Sequence, residues 1–150
     1  MSNIIKIYCD GASLNNGTPN QIASYGIVMM LEQDGEIKGS KKYSGMCDPV
    51  NSTNNYAELF ACLTALEKIK DTSISVEVYS DSQYLVQTIN CNWNKNANKE
   101  LWDKLLLKIT DFDCIDFIKV KGHSGNKYNE IADELANNEA NNYYTNHRGG

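Results

Sequence analysis

The chain has 150 residues, of which 41% are hydrophobic, and its 19 acidic and 14 basic side chains give a formal net charge of −5. This length and composition predict one soluble globular domain, and they exclude a disordered chain and a membrane span, which needs an apolar run of about 20 residues. The negative charge argues against a simple non-specific nucleic-acid binder, but not against a nucleic-acid enzyme whose acidic site is neutralised by metal.

The first half of the chain predicts three strands followed by a helix. The strands are expected at residues 4–10, 22–32 and 36–46. Asp34-Gly35 is a hairpin signal between the second and third strands, so these strands are expected to form an antiparallel meander. From residue 55 to residue 70, apolar side chains recur every three or four positions, which is typical of an amphipathic helix.

The second half alternates strands and helices. We predict a strand at 74–80, helices at about 82–89 and 99–109, a strand at 115–120 and a last helix from about residue 127. The order β-β-β-α-β-α-α-β-α, without a repeat or linker, predicts an α/β fold with a mixed five-stranded sheet flanked by helices. We assign residues 1–143 to this domain and residues 144–150 to a polar tail.

The cysteines indicate a reducing compartment. The chain has five cysteines, an odd number, and no two of them form a C-x-x-C pair, which argues against a disulfide framework and a zinc knuckle. They are Cys9, Cys47, Cys62, Cys91 and Cys114. We expect reduced, partly buried thiols that pack as small apolar side chains. No signal peptide or organelle address is visible. We therefore expect a cytoplasmic protein, with the nucleus as an alternative.

Four acidic residues are candidates for one site. Asp10 and Asp81 each end a predicted strand, and neighbouring strand ends meet at one edge of a sheet, where ligand crevices form. Glu58 and Asp133 lie on predicted helices. Each acid also has an ordinary alternative role. Asp10 could open a turn, Asp81 could cap a helix, Glu58 could form a capping box with Asn55, and Asp133 could be solvated.

Convergence of four carboxylates requires a cation, because unshielded like charges repel one another. An all-oxygen ligand set favours Mg²⁺ or Mn²⁺, and the absence of suitable Cys/His spacing argues against zinc. Two such ions about 3.5–4 Å apart stabilise the attacking and leaving oxygens of a phosphoryl displacement. Gly11, next to Asp10, is expected to let a substrate backbone approach closely.

Four segments resemble the type 1 ribonuclease H family, in the family's order and spacing. They are YCDGAS at 8–13 with Asn16 following, STNNYAEL at 52–59, YSDSQY at 79–84 and VKGHSGNKYNEIADELA at 120–136. The resemblance implies a ribonuclease-H-like fold. It also implies an endonuclease that hydrolyses the RNA strand of RNA–DNA hybrids with two metal ions, leaving 5′-phosphate and 3′-hydroxyl ends.

The resemblance assigns a catalytic role to five residues. It implies that Asp10, Glu58, Asp81 and Asp133 hold two Mg²⁺ ions, with Mn²⁺ as a substitute. Asp10 bridges both ions, Asp133 holds the ion that activates water, and the remaining two acids hold the ion on the leaving-group side. His123 is implied as an auxiliary residue for proton transfer or product release.

The resemblance also implies substrate contacts. Asn54 and Gln83 match positions that contact RNA 2′-hydroxyls, the group that distinguishes RNA from DNA. The remaining matches are Asn16, Thr53 and Asn55, which hold the DNA strand, and Asn129, which supports the site around the histidine. A helix-start turn at residues 53–55 is a compatible alternative, since helix N-termini bind phosphate readily.

Several departures from the family pattern point to a compact catalytic core. Tyr56 stands where many relatives have arginine, and the segment between Trp93 and Trp102 is short where many bacterial relatives insert a lysine-rich protrusion. That segment keeps only Lys95 and Lys99. Both tryptophans are candidates for lining the DNA-strand groove, with core packing as the alternative for Trp102. We expect a monomer without the protrusion or an N-terminal hybrid-binding domain.

Two other functions are weighed against this one. Another ribonuclease-H-like nuclease, such as an exonuclease or transposase core, would share the acidic cluster but not TNN, DSQ and KGHSG together. A hybrid-binding module without catalysis is disfavoured because all four acids and His123 are retained. A cellular, viral or mobile-element origin stays open.

Overall fold

A computed structural model of the chain describes residues 2–91, 97–121 and 126–147. The elements are β1 (Asn3–Leu14), β2 (Ile22–Gln33), β3 (Glu36–Met46), α1 (Asn54–Glu67), β4 (Ser75–Ser80), α2 (Gln83–Cys91), α3 (Lys99–Ile109), β5 (Ile115–Lys119) and α4 (Lys127–His147). The predicted order of elements is confirmed. Helix α4 continues four residues past residue 143, into the segment assigned to the polar tail.

The five strands form one mixed sheet in the order β3-β2-β1-β4-β5. Strands β1, β2 and β3 pair antiparallel, whereas β4 pairs parallel with both β1 and β5. The predicted hairpin between β2 and β3 is present, because Asp34 and Gly35 have φ values of 52° and 87°. Two successive positive φ values are characteristic of the tight turn that matches the twist of paired strands.

Each face of the sheet is covered by helices, because successive side chains of a strand point to opposite faces. On one face, Ile7 and Cys9 of β1 pack with Leu59 of α1 and Trp102 of α3 in the main core. On the other face, Tyr8 packs with Val28, Met30 and Ala132 of α4. The sheet is therefore the middle layer, between α1 and α3 on one side and α4 on the other.

The sequence predicted that strand β1 ends at Asp10, but the strand continues to Leu14. Its parallel pairing with β4 ends at Tyr8 and Tyr79. Its antiparallel pairing with β2 goes on through Asp10–Gly26 to Leu14–Ile22. The polar and small residues after Asp10 gave no strand signal, because their ladder partner is β2 alone. Asp10 nevertheless lies just beyond the end of the β1–β4 ladder.

The cysteines are free thiols, as predicted. Cys9, Cys47 and Cys62 are buried, and Cys91 and Cys114 are exposed. Within residues 2–91, 97–121 and 126–147, no helix is long and apolar enough to cross a membrane.

Candidate active site

Asp10, Glu58 and Asp81 meet at one edge of the sheet. Asp81 directly follows β4, and Asp10 lies two residues after the last pair of the β1–β4 ladder. Each of the three acids places a carboxylate oxygen within 4.8 Å of the others. Asp10 is 3% exposed and Glu58 is 5% exposed. The predicted convergence of strand-end acids is thus found.

Helices α1 and α2 are capped by hydroxyl side chains, and not by an acid of this cluster. Thr53 caps α1, because its Oγ1 accepts a hydrogen bond of 3.1 Å from the Tyr56 nitrogen. The capping box of Asn55 and Glu58 is therefore wrong. Ser82 precedes α2, and its Oγ accepts a bond of 3.1 Å from the Leu85 nitrogen. This serine thus takes the capping role that was the alternative for Asp81.

Gly11 brings α1 against β1. A Cβ atom added at Gly11 would lie 2.5 Å from the carbonyl carbon of Ala57 and 2.5 Å from the nitrogen of Glu58. The backbone N–H of Gly11 also donates a hydrogen bond to the Glu58 carboxylate. The sequence correctly predicted a close approach at this glycine. The approaching backbone belongs to α1, however, and not to a substrate.

Helix α4 brings Asp133 to the same cluster. Its carboxyl group is hydrogen-bonded to that of Asp10. The Asn137 amide nitrogen donates to Asp133 Oδ1 at 3.1 Å and to its backbone oxygen at 2.9 Å. Asp133 is half-buried. Asp133 therefore lies beside Asp10, next to the group of three acids.

Burial and mutual repulsion favour the protonated forms of the two innermost acids. The pKa of Asp10 rises to about 11, first through burial and then through the charge of Glu58. The pKa of Glu58 rises to about 8, again chiefly through burial, although the hydrogen bond with Asp10 partly offsets the rise. A cation among these carboxylates would reverse both shifts, because it favours the ionised forms.

The residues fit a hard divalent cation. The ligand set consists of carboxylate oxygens, which Mg²⁺ and Mn²⁺ prefer. The buried Oε2 of Glu58 has no hydrogen-bond partner in the part of the chain that the structure describes. A buried polar atom without a partner is costly, and coordination of a metal would satisfy it.

Asn129 is a buried polar side chain on α4, the helix that carries Asp133. It lies four residues before Asp133, hence on the same side of α4, and it is 3% exposed. Its Oδ1 has no partner among the described groups, whereas its backbone nitrogen donates to Asn126 Oδ1 at 3.1 Å. The side-chain oxygen of Asn129 is therefore available to a ligand or to the neighbouring loop.

The other predicted substrate residues are exposed and lie at loops or helix starts around the same edge. They are Asn16 in the β1–β2 loop, Thr53, Asn54 and Asn55 at the start of α1, and Gln83 at the start of α2. His123, Trp93 and Lys95 lie outside the described residues.

Trp102 and Lys99 have structural partners. Trp102 is fully buried in the core, and its Nε1 donates a 2.8 Å hydrogen bond to the Tyr84 hydroxyl. Core packing, the alternative for Trp102, is therefore confirmed, and a DNA contact by this side chain is excluded. Lys99 forms an ion pair of 2.9 Å with Asp103. Tyr56 donates a 2.7 Å bond from its hydroxyl to the Asp48 carbonyl.

Sequence reasoning gave no role to Gly26 or Asn137. A Cβ atom at Gly26 would collide with the backbone carbonyl of Ala132, so this glycine lets α4 lie directly on β2. The contact is at the residue before Asp133. Its signal was available, because an isolated glycine inside an apolar strand indicates a close backbone approach. Asn137 had only its spacing of four residues from Asp133, which is unremarkable in an Asn-rich helix.

Comparisons with known proteins agree with this geometry. The family model of RNase H matches residues 2–141. Ribonuclease H of Clostridium botulinum (strain Hall) is 44% identical over an alignment of 148 positions, and the match covers 87% of this chain and 91% of that protein. Among solved structures, RNase H1 from Halobacterium salinarum NRC-1 is 29% identical with a TM-score of 0.72, covering 93% of this chain and 98% of that one.

A further structural neighbour shares the fold. LC11-RNase H1, solved in complex with an RNA/DNA hybrid, is 24% identical with a TM-score of 0.68, and the match covers 93% of this chain and 98% of that one. The family model spans nearly the whole chain, and the resemblance in its four motifs is thereby confirmed. The chain therefore belongs to the ribonuclease H family of endoribonucleases.

Proposed function

We propose that this protein is an endonuclease that hydrolyses the RNA strand of RNA–DNA hybrids by two-metal-ion catalysis, leaving 5′-phosphate and 3′-hydroxyl ends. The observation that carries the proposal is the convergence of Asp10, Glu58 and Asp81 within 4.8 Å, in a chain of the ribonuclease H family. The hybrid bound by LC11-RNase H1, which has the same fold, supports this substrate.

The four acids are the proposed ligands of two Mg²⁺ ions, with Mn²⁺ as a substitute. When bound, such ions polarise a phosphoryl oxygen and lower the pKa of water. Asp10 would contribute to holding both ions, because its carboxyl group lies with Glu58 and Asp81 and is also hydrogen-bonded to Asp133. We assign Asp133 to the side of the attacking water, and Glu58 and Asp81 to the side of the leaving group.

Several polar side chains are proposed to position the substrate. Asn54 and Gln83, each exposed at the first position of a helix, would bond RNA 2′-hydroxyls and so select RNA over DNA. Thr53 and Asn55 would hold a phosphate of the DNA strand at the start of α1, where backbone N–H groups lack helical partners. Asn16, in the neighbouring loop, would contact the same strand.

Two further residues complete the proposed site. His123 would move a proton during turnover or assist product release, and Asn129 would support it through the buried Oδ1 that lacks a partner among the described groups. We further propose a cytoplasmic monomer.

The product ends test the proposed chemistry. Wild-type protein and Glu58→Gln should be incubated with Mg²⁺ and a hybrid whose RNA strand is labelled. We expect the wild type to give RNA fragments whose 3′-hydroxyls a polymerase extends and whose 5′-phosphates a ligase joins, and we expect Glu58→Gln to give almost none. Fragments ending in 3′-phosphate would contradict the proposal, because they indicate attack by the RNA 2′-hydroxyl.

A further inference from the structure

We propose that Gln21 is a positioning residue that sets the spacing between two substrate loops. One is the β1–β2 loop, residues 15–21, which carries Asn16. The other is the pre-α1 loop, residues 47–53, which carries Thr53. The inference rests on the proposed function, because both loops are there assigned to the DNA strand of the hybrid.

The β1–β2 loop has a defined internal shape. Asn15 and Gly17 have positive φ values of 57° and 84°. The Thr18 nitrogen donates to the Asn15 carbonyl at 3.0 Å, and the Gln21 nitrogen donates to the Thr18 carbonyl at 3.1 Å. The Thr18 hydroxyl adds a 2.6 Å bond to the same Asn15 carbonyl. These bonds shape the loop but do not connect it to the loop beside it.

The Gln21 side chain makes that connection. Its Oε1 accepts a 2.8 Å hydrogen bond from the Gly17 nitrogen, within its own loop. Its Nε2 donates a 2.8 Å hydrogen bond to the Asn51 carbonyl, in the pre-α1 loop. Among the side-chain hydrogen bonds of the described residues, the bond from Gln21 to Asn51 is the one that joins the two loops. One half-buried amide thus holds both loops.

The two ends of this amide bridge lie close to the proposed substrate contacts. Gly17 is the immediate neighbour of Asn16, and Asn51 lies two residues before Thr53. A backbone bond of 2.8 Å from Ala23 to Val50 joins the bases of the loops. Gln21 joins them further out, next to the residues that would touch DNA.

The bridge should affect binding and not the chemical step. The four acids lie on or directly after β1, β4, α1 and α4, outside both loops. Loops held at the correct spacing before binding need less ordering when the DNA strand engages them, and this preorganisation raises affinity. Loss of the bridge should therefore raise KM for the hybrid and leave kcat nearly unchanged.

The test uses Gln21→Glu with Asn20→Asp as its matched control. Gln21→Glu keeps the acceptor for the Gly17 nitrogen, removes the donor to Asn51 and sets a carboxylate against that carbonyl. Asn20→Asp adds the same charge at the preceding residue, which is exposed. We expect a rise in KM of roughly threefold to tenfold for Gln21→Glu, as for one lost hydrogen bond, and little change in KM for the control.

A second variant separates positioning from simple destabilisation. Gln21→Met removes both hydrogen bonds without adding charge, and we expect it to raise KM while kcat stays within about twofold of wild type. If Gln21 acts through Asn16, its effect should shrink in an Asn16→Ala background, because residues that act as a unit are not additive.

Each outcome bears on the inference. An unchanged KM in both Gln21 variants, with wild-type protein cleaving the hybrid, would overturn it and leave the proposed function intact. An equal rise in KM for Asn20→Asp, or a fall in kcat that follows the loss of folded protein, would overturn it as well. Failure of the wild type to cleave the hybrid would instead overturn the proposed function, and this inference with it.

Discussion

Gly11 and Glu58 are in direct backbone contact, since a Cβ atom at Gly11 would stand 2.5 Å from the Glu58 nitrogen. The contact fixes how far α1 lies from β1, and hence how far Glu58 lies from Asp10. The obstructing atoms are backbone atoms, which cannot rotate out of the way. The absence of a side chain at Gly11 is therefore part of the construction of the acidic cluster.

Gly11→Ala should displace α1 and separate the two acids. We expect a loss of unfolding free energy of about 1–3 kcal/mol, which is typical of overpacking, together with a fall in hybrid cleavage. Gly39→Ala is the matched control, because a Cβ atom there meets nothing within 4 Å. Denaturant unfolding and cleavage rates check both variants. Wild-type values for Gly11→Ala would contradict the proposed role of this contact.

Asp10→Asn should nearly abolish Mg²⁺-dependent cleavage, because it removes the negative ligand proposed to bridge both ions. It should also leave the metal-free fold intact, or stabilise it, because asparagine cannot ionise and so removes the cost of keeping a buried carboxyl group protonated that the unfolded chain would ionise. Asp116→Asn, on the exposed side of β5, is a control for the same change elsewhere. Near-normal activity of Asp10→Asn in Mg²⁺ would exclude the two-metal assignment.

The raised pKa values predict how the stability of the metal-free protein depends on pH. Glu58 has its pKa raised from 4.5 to about 8, and Asp10 has its pKa raised from 3.8 to about 11. The unfolded chain releases both protons near pH 4, whereas the folded protein retains them, so the folded state binds more protons above that pH. Stability contributed by these acids is present below about pH 4 and declines as pH rises, up to about pH 8 for Glu58 and up to about pH 11 for Asp10.

Thermal unfolding in EDTA tests this sign. We expect the Tm of the wild type to fall between about pH 5 and pH 8, and we expect Glu58→Gln to show a smaller fall. Saturating Mg²⁺ should flatten the dependence, because the cation favours the ionised carboxylates. A Tm in EDTA that falls equally in wild type and Glu58→Gln would show that other groups cause the trend.

The order of elements and the four acids could be predicted from local patterns, because each leaves a signal in a short window of sequence. The extent of β1 could not. Residues 11–14 pair on one side only, with residues 22–25 of β2, which lie 8 to 14 positions further along the chain. The cap of α1 was also misassigned, because asparagine ranks above threonine as a capping residue and yet Thr53, not Asn55, is the cap. Only the chain path selects between them.

The Gln21 bridge illustrates a second limit of sequence analysis. A glutamine in an Asn/Gly/Pro-containing loop has no periodicity, and its partners are the backbone nitrogen of Gly17 and the backbone carbonyl of Asn51. Backbone groups are present at every position, so the sequence cannot show which of them a side chain reaches. Such contacts appear only when the two loops are placed together.

His123→Ala should slow turnover and leave measurable activity, since the proposed role is to move a proton and not to hold a metal. General acid–base catalysis typically contributes about 10²–10⁴-fold. Single-turnover cleavage of the hybrid, compared directly with Asp10→Asn, measures the difference. A loss as complete as that of Asp10→Asn would give the histidine a more central role than we assign.

The short segment between Trp93 and Trp102 predicts weak hybrid binding. Phosphate contacts by basic residues set both the affinity and its salt dependence, and this protein has a net charge of −5 and a Lys99 already paired with Asp103. We expect a high KM with a shallow salt slope. Grafting a lysine-rich segment there should lower KM and steepen the slope, with kcat little changed. Tight binding by the unmodified protein at physiological salt would show that other residues grip the hybrid.

Digestion of matched RNA–DNA, RNA–RNA and DNA–DNA duplexes of one sequence, each with Mg²⁺ and with EDTA, measures directly whether the protein is a metal-dependent nuclease specific for the hybrid. We expect cleavage of the RNA strand of the hybrid in Mg²⁺, no cleavage of the other duplexes, and no cleavage of any duplex in EDTA. Hybrid cleavage that persists in EDTA, or equal cleavage of RNA–RNA in Mg²⁺, would contradict this prediction.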